Sequence, residues 1–179
     1  FLSKYAGVSN VVGNWTGFLN NSSEDIDLDD SFGNRVDSVE YADEGDWGVR
    51  QRGPIDRGNF RGWTWFKESD GLGKSLELLN PNLSNNEGQN WAASRPMNGT
   101  PGLANSVLTN NLPPMILGTS HLPIIPKSSE PVIVTARIAD ESAGGIAVSL
   151  SYRPDGPTPP LFTTNAMRDD GLGGDAAAN

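Results

Sequence analysis

Two runs of alternating apolar and polar residues lie between positions 132 and 152, and they constrain the fold more than any other feature. The first extends from Val132 to Ile138 and the second from Ile146 to Tyr152. A period of two residues is typical of a half-buried strand and excludes an amphipathic helix. Because Gly144 and Gly145 fall between the runs, the pattern predicts two neighbouring antiparallel strands.

The rest of the chain is dense in turn-forming residues. It holds 21 glycines and 13 prolines among 179 residues, well above the ordinary combined usage of roughly 12%. Residues 26–29 alternate strictly, residues 32–34 form a turn signal, and residues 35–41 give a second strand pattern. A further short apolar strand is predicted at residues 75–79, and another at 161–167. The fold class predicted from these patterns is all-β.

The charge and the hydropathy pattern exclude two classes of partner. The formal net charge is −9, from 22 acidic and 13 basic residues, and a nucleic-acid surface needs clustered Lys and Arg. No apolar run approaches the ~18 residues that a membrane-spanning helix needs. We therefore predict no nucleic-acid partner and no insertion into a membrane.

A sequence signature runs from residue 70 to residue 105. Residues 75–78 read SLEL, residues 80–81 read NP, residues 90–94 read NWAAS and residues 99–102 read GTPG, with Asn105 following. In this order and spacing the signature resembles the last strands of the bacterial lamin-tail domain, an immunoglobulin-like β-sandwich. Upstream, Leu19, Asn21 and residues 26–41 resemble the strands that precede the SLEL strand in that family.

The resemblance implies a division into three parts. Residues 1–108 would be a lamin-tail-like domain that lacks its first strands, and residues 109–130 a proline-rich linker leading into a first strand. Residues 131–179 resemble part of an Ig-like or fibronectin-III-like module, through the PVIVTA run and the Asp169-Asp170-Gly171 motif. Modules of both kinds occur together in large secreted bacterial proteins, including spore-coat-type kinase-like proteins.

Residues 43–73 are predicted to be one long connection. It mixes arginines and aromatic residues with acids, so it has no net basic character. Long loops of this kind are often ordered by their own side chains or are functional. We expect its tryptophans to cap the edge of the sandwich, and the alternative is a ligand surface formed by Trp47, Trp63 and Trp65 together with Trp91.

The chain offers little for catalysis. Its one histidine, His121, lies in the proline-rich linker, and there is no GxSxG nucleophile motif and no cysteine. A nucleophile and its base must lie within hydrogen-bond reach of each other. We therefore predict that the chain is not an enzyme and uses no cofactor other than a calcium ion.

Calcium is the one metal that the sequence favours. Asp169, Asp170 and Asp175 lie in a short glycine-containing loop, and calcium takes carboxylate and carbonyl oxygens from flexible loops. The spacing is not that of an EF-hand. The alternative interpretation is that aspartate and glycine simply form the turn.

Together these features predict a non-catalytic structural, adhesive or tethering module of a larger exported bacterial protein, secreted or held at the cell surface. Its partners would be other domains of the same polypeptide, with a surface protein or a glycan as further candidates. The alternative function is a carbohydrate- or ligand-binding β-sandwich that uses exposed tryptophans and is stabilised by calcium.

Overall fold

The computed structural model describes residues 1–13, 16–55, 57, 61–66, 68–142, 144–173 and 175, with the side chains of 49–52, 61 and 63–66 excepted. Strands make up 31% of the structure and helix is almost absent. Within the described ranges, helix is limited to two 3-10 turns, Gly45–Trp47 and Gly88–Asn90. The all-β prediction is confirmed. No helix in the described part of the chain is long and apolar enough to cross a membrane.

The chain divides into two compact units. The first comprises residues 1–53 and 62–112, and the second comprises residues 54–61 and 113–179. The strands, in chain order, are β1 (Ser23–Asp29), β2 (Arg35–Ala42), β3 (Val49–Ile55), β4 (Arg61–Phe66), β5 (Leu76–Leu78), β6 (Trp91–Ala93), β7 (Met115–Leu122), β8 (Ile133–Ala139), β9 (Ser149–Tyr152) and β10 (Thr163–Ala166).

Strands β1 and β2 form the antiparallel hairpin that the alternation predicted, with Ile26 opposite Val39. The turn between them depends on Asp30. Its Oδ1 accepts hydrogen bonds from the backbone N–H groups of Phe32 at 2.8 Å and Asn34 at 2.9 Å. Gly33 has φ of +82°, a conformation that glycine adopts without steric cost. Hydrogen bonds from Asn34 and from the turn backbone hold the pKa of Asp30 below its ordinary value.

Strands β5 and β6 form a second antiparallel pair, in which Glu77 lies opposite Ala92 and Leu78 opposite Trp91. The segment between them carries the asparagine-rich turn and the 3-10 turn Gly88–Asn90. The fully buried side chains here are polar: Asn80, Asn90 and Ser94 are 0% exposed. Hydrogen bonds rather than apolar contacts therefore determine how this part of the first unit closes.

The prediction of one long connection over residues 43–73 was wrong. The structure places strands β3 and β4 there, and they pair as a two-stranded sheet. Residues 63–66 read WTWF, and aromatic residues and threonine favour strands over loops. Composition alone concealed this, because the arginines and acids of the same window resemble a solvated loop.

The prediction that the two alternating runs pair with each other was also wrong. Strand β8 pairs with β7, and β9 pairs with β10. The second run becomes a strand at Ser149 and not at Ile146, so the Gly144–Gly145 region does not close a tight hairpin. Strand β7 arises within the predicted linker, and it supplies Met115 and Leu117, which are 2% and 4% exposed.

Each of the five sheets in the described residues has two strands. Besides Met115 and Leu117, the buried apolar side chains include Leu112, while many large apolar residues are exposed. In the second unit the Arg153 guanidinium lies 4.3 Å from the centre of the Phe162 ring. A two-layer sandwich stays a prediction at this level, and so do the domain boundaries drawn from the sequence.

Candidate functional site

Two of the tryptophans predicted to form a ligand surface meet in the first unit. Trp47 ends the first 3-10 turn, and Trp91 follows the second directly. Their ring centres are 5.8 Å apart and the ring planes are inclined by 33°, within the range that aromatic pairs prefer. Both rings are half-buried. We call Trp47 and Trp91 the aromatic pair.

A glycine allows the two 3-10 turns to approach closely. Gly88 is buried, and a Cβ atom at this position would lie 2.6 Å from the carbonyl carbon of Asp46 and 2.6 Å from the backbone nitrogen of Trp47. Real Cβ atoms do not approach backbone atoms so closely, because the electron shells overlap. Any larger residue at position 88 would push the two turns apart and separate the aromatic pair.

Hydrogen bonds fix both sides of the aromatic pair. The indole N–H of Trp91 donates to the carbonyl oxygen of Asn85 at 2.7 Å, and Nε2 of Gln89 donates to Oδ2 of Asp46 at 2.9 Å. A partly exposed indole can stack on a sugar ring, and here a carboxylate and an amide lie beside it. The same hydrogen bonds also close the turn. They occupy the indole N–H and one carboxylate oxygen with partners from the chain itself.

The other two tryptophans of the predicted ligand surface lie in strand β4. Trp63 and Trp65 belong to Arg61–Phe66, but their side chains fall outside the described residues. Whether they join Trp47 in one surface therefore stays a prediction.

The carboxylate of Glu77 is 4% exposed and is held by several donors of the first unit. Its Oε1 accepts from the hydroxyl of Thr100 at 2.6 Å and from the hydroxyl of Ser75 at 3.4 Å. Its Oε2 accepts from both the backbone N–H and the hydroxyl of Ser106, each at 2.7 Å. Both oxygens are therefore engaged by donors from residues outside strand β5.

The protonation of Glu77 follows from these contacts. Burial raises the pKa of the carboxyl group, because a charged form loses hydration. Hydrogen bonds from the Thr100 and Ser106 side chains, the Ser106 backbone and the Ser75 hydroxyl outweigh that effect, and the pKa lies below its ordinary value. Glu77 is consequently ionised at neutral pH, the opposite of a carboxyl group tuned to act as a general acid.

Asn80 and Asn90 form a second buried group beside this carboxylate. Oδ1 of Asn90 accepts from the backbone N–H of Asn80 at 2.9 Å, and Nδ2 of Asn90 donates to the carbonyl oxygens of Asn80 at 2.8 Å and Ser84 at 3.1 Å. The side-chain amide of Asn90 thus pairs with backbone groups of the turn in the way that a neighbouring strand would. A buried side-chain amide needs hydrogen-bond partners for both its oxygen and its nitrogen, and Asn90 has them.

The inward direction of Glu77 was not predicted. Within the apolar strand predicted from the sequence, Leu76 and Leu78 are half-buried, while Glu77 between them is buried. The signal that could have identified it is the cluster of hydroxyl and amide residues in 99–106, which supplies matching donors. A carboxylate on a short strand needs such donors when it faces inward.

The predicted calcium loop is arranged as a turn. Oδ1 of Asp170 accepts from the backbone N–H of Leu172 at 3.0 Å, and Oδ2 of Asp175 accepts from the backbone N–H of Gly171 at 2.7 Å. Among the residues that the structure describes, no three His, Asp or Glu side chains converge in a way that could hold a metal ion. Calcium binding by Asp169, Asp170 and Asp175 stays a prediction.

His121 lies on strand β7, where its ring Nδ1 is 3.2 Å from the carbonyl oxygen of Pro123. It opposes Val134 in the β7–β8 pair. In neither contact does the ring meet a nucleophilic side chain. The position gives no indication of a catalytic role.

Comparisons with known proteins returned nothing to set beside this geometry. No protein-family model, no curated protein and no solved structure matches the chain.

Proposed function

We propose that the chain is a non-catalytic structural or tethering module of a larger exported bacterial protein, and that it acts through contacts with other domains of the same polypeptide. Its fold would combine a lamin-tail-like β-sandwich with part of an Ig-like or fibronectin-III-like module. The all-β architecture is compatible with both, and the resemblance described above is the reason for naming them.

One observation carries the proposal. The polar residues of the lamin-tail-like signature are hydrogen-bonded to one another, to backbone of the signature, or to Ser106 directly after it, so they hold the turn segments together. Asn105, for example, donates from Nδ2 to the carbonyl oxygen of Leu78 at 3.0 Å. The members of this buried polar network are Glu77, Asn80, Asn90, Ser94, Thr100 and Asn105.

A group that serves in catalysis must keep an atom available to its substrate. In Glu77 the two carboxylate oxygens accept four hydrogen bonds, one from Ser75 directly before strand β5 and the others from Thr100 and Ser106 in the loop that closes over the strand. This arrangement stabilises a fold and engages both oxygens of a side chain that is 4% exposed. It favours a scaffold over a hydrolase.

The proposal is tested by measuring both the stability and the catalytic activity of the chain. The chain and its Glu77→Gln variant would be compared for urea unfolding and for turnover of chromogenic glycosides, esters and phosphate esters. We expect a loss of stability in the variant and no turnover in either protein. Turnover by the wild-type chain that the variant lacks would overturn the proposal.

A second candidate function is glycan binding at the aromatic pair, favoured by the part-exposed rings of Trp47 and Trp91 beside Asp46 and Gln89. A glycan array would test it with the wild-type chain and Trp47→Ala. Phe162→Ala, which removes an aromatic ring in the second unit, is the matched control. Binding lost in Trp47→Ala and kept in the control would support this function, and no binding by the wild-type chain would exclude it for the glycans displayed.

A further inference from the structure

The hairpin of strands β1 and β2 is attached to the first unit through one edge. The backbone N–H of Glu40 donates to Oδ1 of Asn86 at 2.9 Å, and Nδ2 of Asn85 donates to Oδ1 of Asp37 at 2.7 Å. Strand β1 lies on the other side of β2, and all seven of its residues are exposed. In the part of the chain that the structure describes, no strand except β2 pairs with it.

The register tells which backbone groups line the outer edge of β1. The N–H of Asp43 donates to the carbonyl of Ser22 at 2.9 Å, so residues 22 and 43 form a hydrogen-bonded pair. Such pairs alternate with non-hydrogen-bonded ones in an antiparallel ladder. Residues 25 and 40, and likewise 27 and 38, are therefore non-hydrogen-bonded pairs. The outward bond of Glu40 to Asn86 agrees with this assignment.

It follows that the N–H and C=O groups of Asp25 and Asp27 point away from β2. A row of this kind is a template for another extended chain, and proteins commonly blunt it with charged side chains, a proline or a bulge; the charges of β1 are all acidic, so they oppose an acidic chain and not a basic one. Strand β1 reads SEDIDLD, with neither lysine nor proline. Its irregularity lies at Leu28 and Asp29, beyond Asp25 and Asp27.

The two faces of the hairpin define what this edge can accept. On one face Asp25 lies opposite Glu40, and like charges in this position repel each other. Farther along the same face, Arg35 bridges Asp27 and Asp29. Within the described residues the structure gives the Asp25 and Glu40 carboxylates no cationic partner. On the other face Ile26 and Leu28 are 43% and 59% exposed.

We propose that the outer edge of β1 binds an extended, basic segment of a partner protein, which adds a third strand to the hairpin. A lysine or arginine of that segment would lie beside Asp25 and reach toward Glu40 on the next strand, and its alternate apolar residues would lie beside Ile26 and Leu28. When a peptide adds a strand to a sheet edge, main-chain hydrogen bonds supply the affinity, and the contacts of its alternate side chains supply the specificity. The inference concerns another surface than the buried polar network and does not depend on a tethering role.

A second copy of the chain is a poorer occupant. If two β1 strands paired, the aspartates of each would share a face with those of the other, and like charges on neighbouring strands are destabilising. A basic strand removes the repulsion between Asp25 and Glu40, whereas a second β1 adds to it.

The probe is a capped, fluorescein-labelled heptapeptide that alternates lysine with valine, and the reference peptide replaces each lysine with glutamate. By anisotropy we expect the lysine peptide to bind at least tenfold more tightly. Asp25→Asn should weaken it several-fold, while Asp70→Asn, at an exposed bend of the same unit, should leave it unchanged. Equal binding of the two peptides, or no effect of Asp25→Asn, would overturn the proposal.

Hydrogen exchange then tests the backbone contact. Saturating lysine peptide should slow the exchange of the Asp25 and Asp27 amides at least tenfold and leave the Ile26 amide, which already faces β2, unchanged. Asp25→Pro should abolish binding, because it removes an outward N–H without removing a bond to β2. If that variant fails to fold, exchange in the wild-type chain decides alone. Peptide binding without protection of these two amides, or dimerisation through this edge in place of peptide binding, would overturn the proposal.

Discussion

The backbone N–H and the hydroxyl group of Ser106 both donate to the same oxygen of Glu77, each at 2.7 Å. Residues 77 and 106 are 29 positions apart in the chain, so this two-donor contact closes a large loop onto strand β5. Thr100 completes the site from the other carboxylate oxygen at 2.6 Å. Hydrogen bonds to an ionised group are shorter and stronger than neutral ones, which makes Glu77 the main polar link in the first unit.

Replacing Glu77 with glutamine should therefore destabilise the first unit markedly. The amide keeps the size of the side chain, but it removes the charge and turns one acceptor into a donor that faces donors. Hydrogen bonds to charged groups contribute about 1.5–3 kcal/mol each, and we expect the free energy of unfolding to fall by about 2–3 kcal/mol in urea titrations. Glu68→Gln is the control, because it breaks an exposed ion pair with Lys74 that contributes at most ~1 kcal/mol. Equal effects of the two changes would contradict the assignment.

The stability gap between wild type and Glu77→Gln should depend on pH in one direction. The pKa of Glu77 is lowered in the folded state, so its ionised form stabilises the fold at any pH above the unfolded value of about 4.3. This contribution is lost as the pH falls from that value through the folded pKa. Unfolding of both proteins by urea at pH 6 and pH 3 should show a smaller gap at pH 3. A gap that widened on acidification would mean that burial dominates and the pKa is raised.

The local pattern of the sequence was sufficient to predict the strands of the β1–β2 hairpin, but it was insufficient to predict the inward direction of Glu77. Strict alternation and a glycine turn are local signals, and the predicted strands at residues 26–29 and 35–41 lie within β1 and β2. The direction in which Glu77 points depends on Thr100 and Ser106, which are distant along the chain. No short window centred on strand β5 contains them, so the local pattern could not show that Glu77 faces inward.

The pairing of strand β8 failed for a related reason. Periodicity identifies a strand but not its neighbour, and β8 had two candidates, the run that begins at Ile146 and the segment before Pro123. The prolines of residues 113–131 indicated a linker leading into a first strand, and periodicity did not identify that strand as the partner of β8. Prolines at the margins of a strand are compatible with pairing, and in fact the apolar residues of β7 lie between Pro114 and Pro123.

Gly88→Ala should separate the two 3-10 turns. Its Cβ would lie 2.6 Å from two backbone atoms of the facing turn, and overpacking against rigid backbone typically costs about 1–3 kcal/mol. We expect a lower free energy of unfolding and a changed tryptophan emission spectrum, because the aromatic pair would move apart. Gly7→Ala, where nothing lies within 4 Å of the added atom, is the matched control. An unchanged spectrum in Gly88→Ala would show that the turns do not approach each other in solution.

Asn90→Ala should destabilise the first unit strongly. It removes a fully buried amide and leaves the N–H of Asn80 and the carbonyl of Ser84 without their side-chain partner, while the carbonyl of Asn80 keeps the N–H of Leu83 at 3.3 Å. An unsatisfied buried polar group costs about 1–3 kcal/mol, so we expect a loss of about 3 kcal/mol in urea unfolding. Asn110→Ala, at an exposed bend, should change the stability by less than ~0.5 kcal/mol. If Asn90→Ala is as stable as that control, water must enter the turn freely, and the buried polar network does not hold the first unit together.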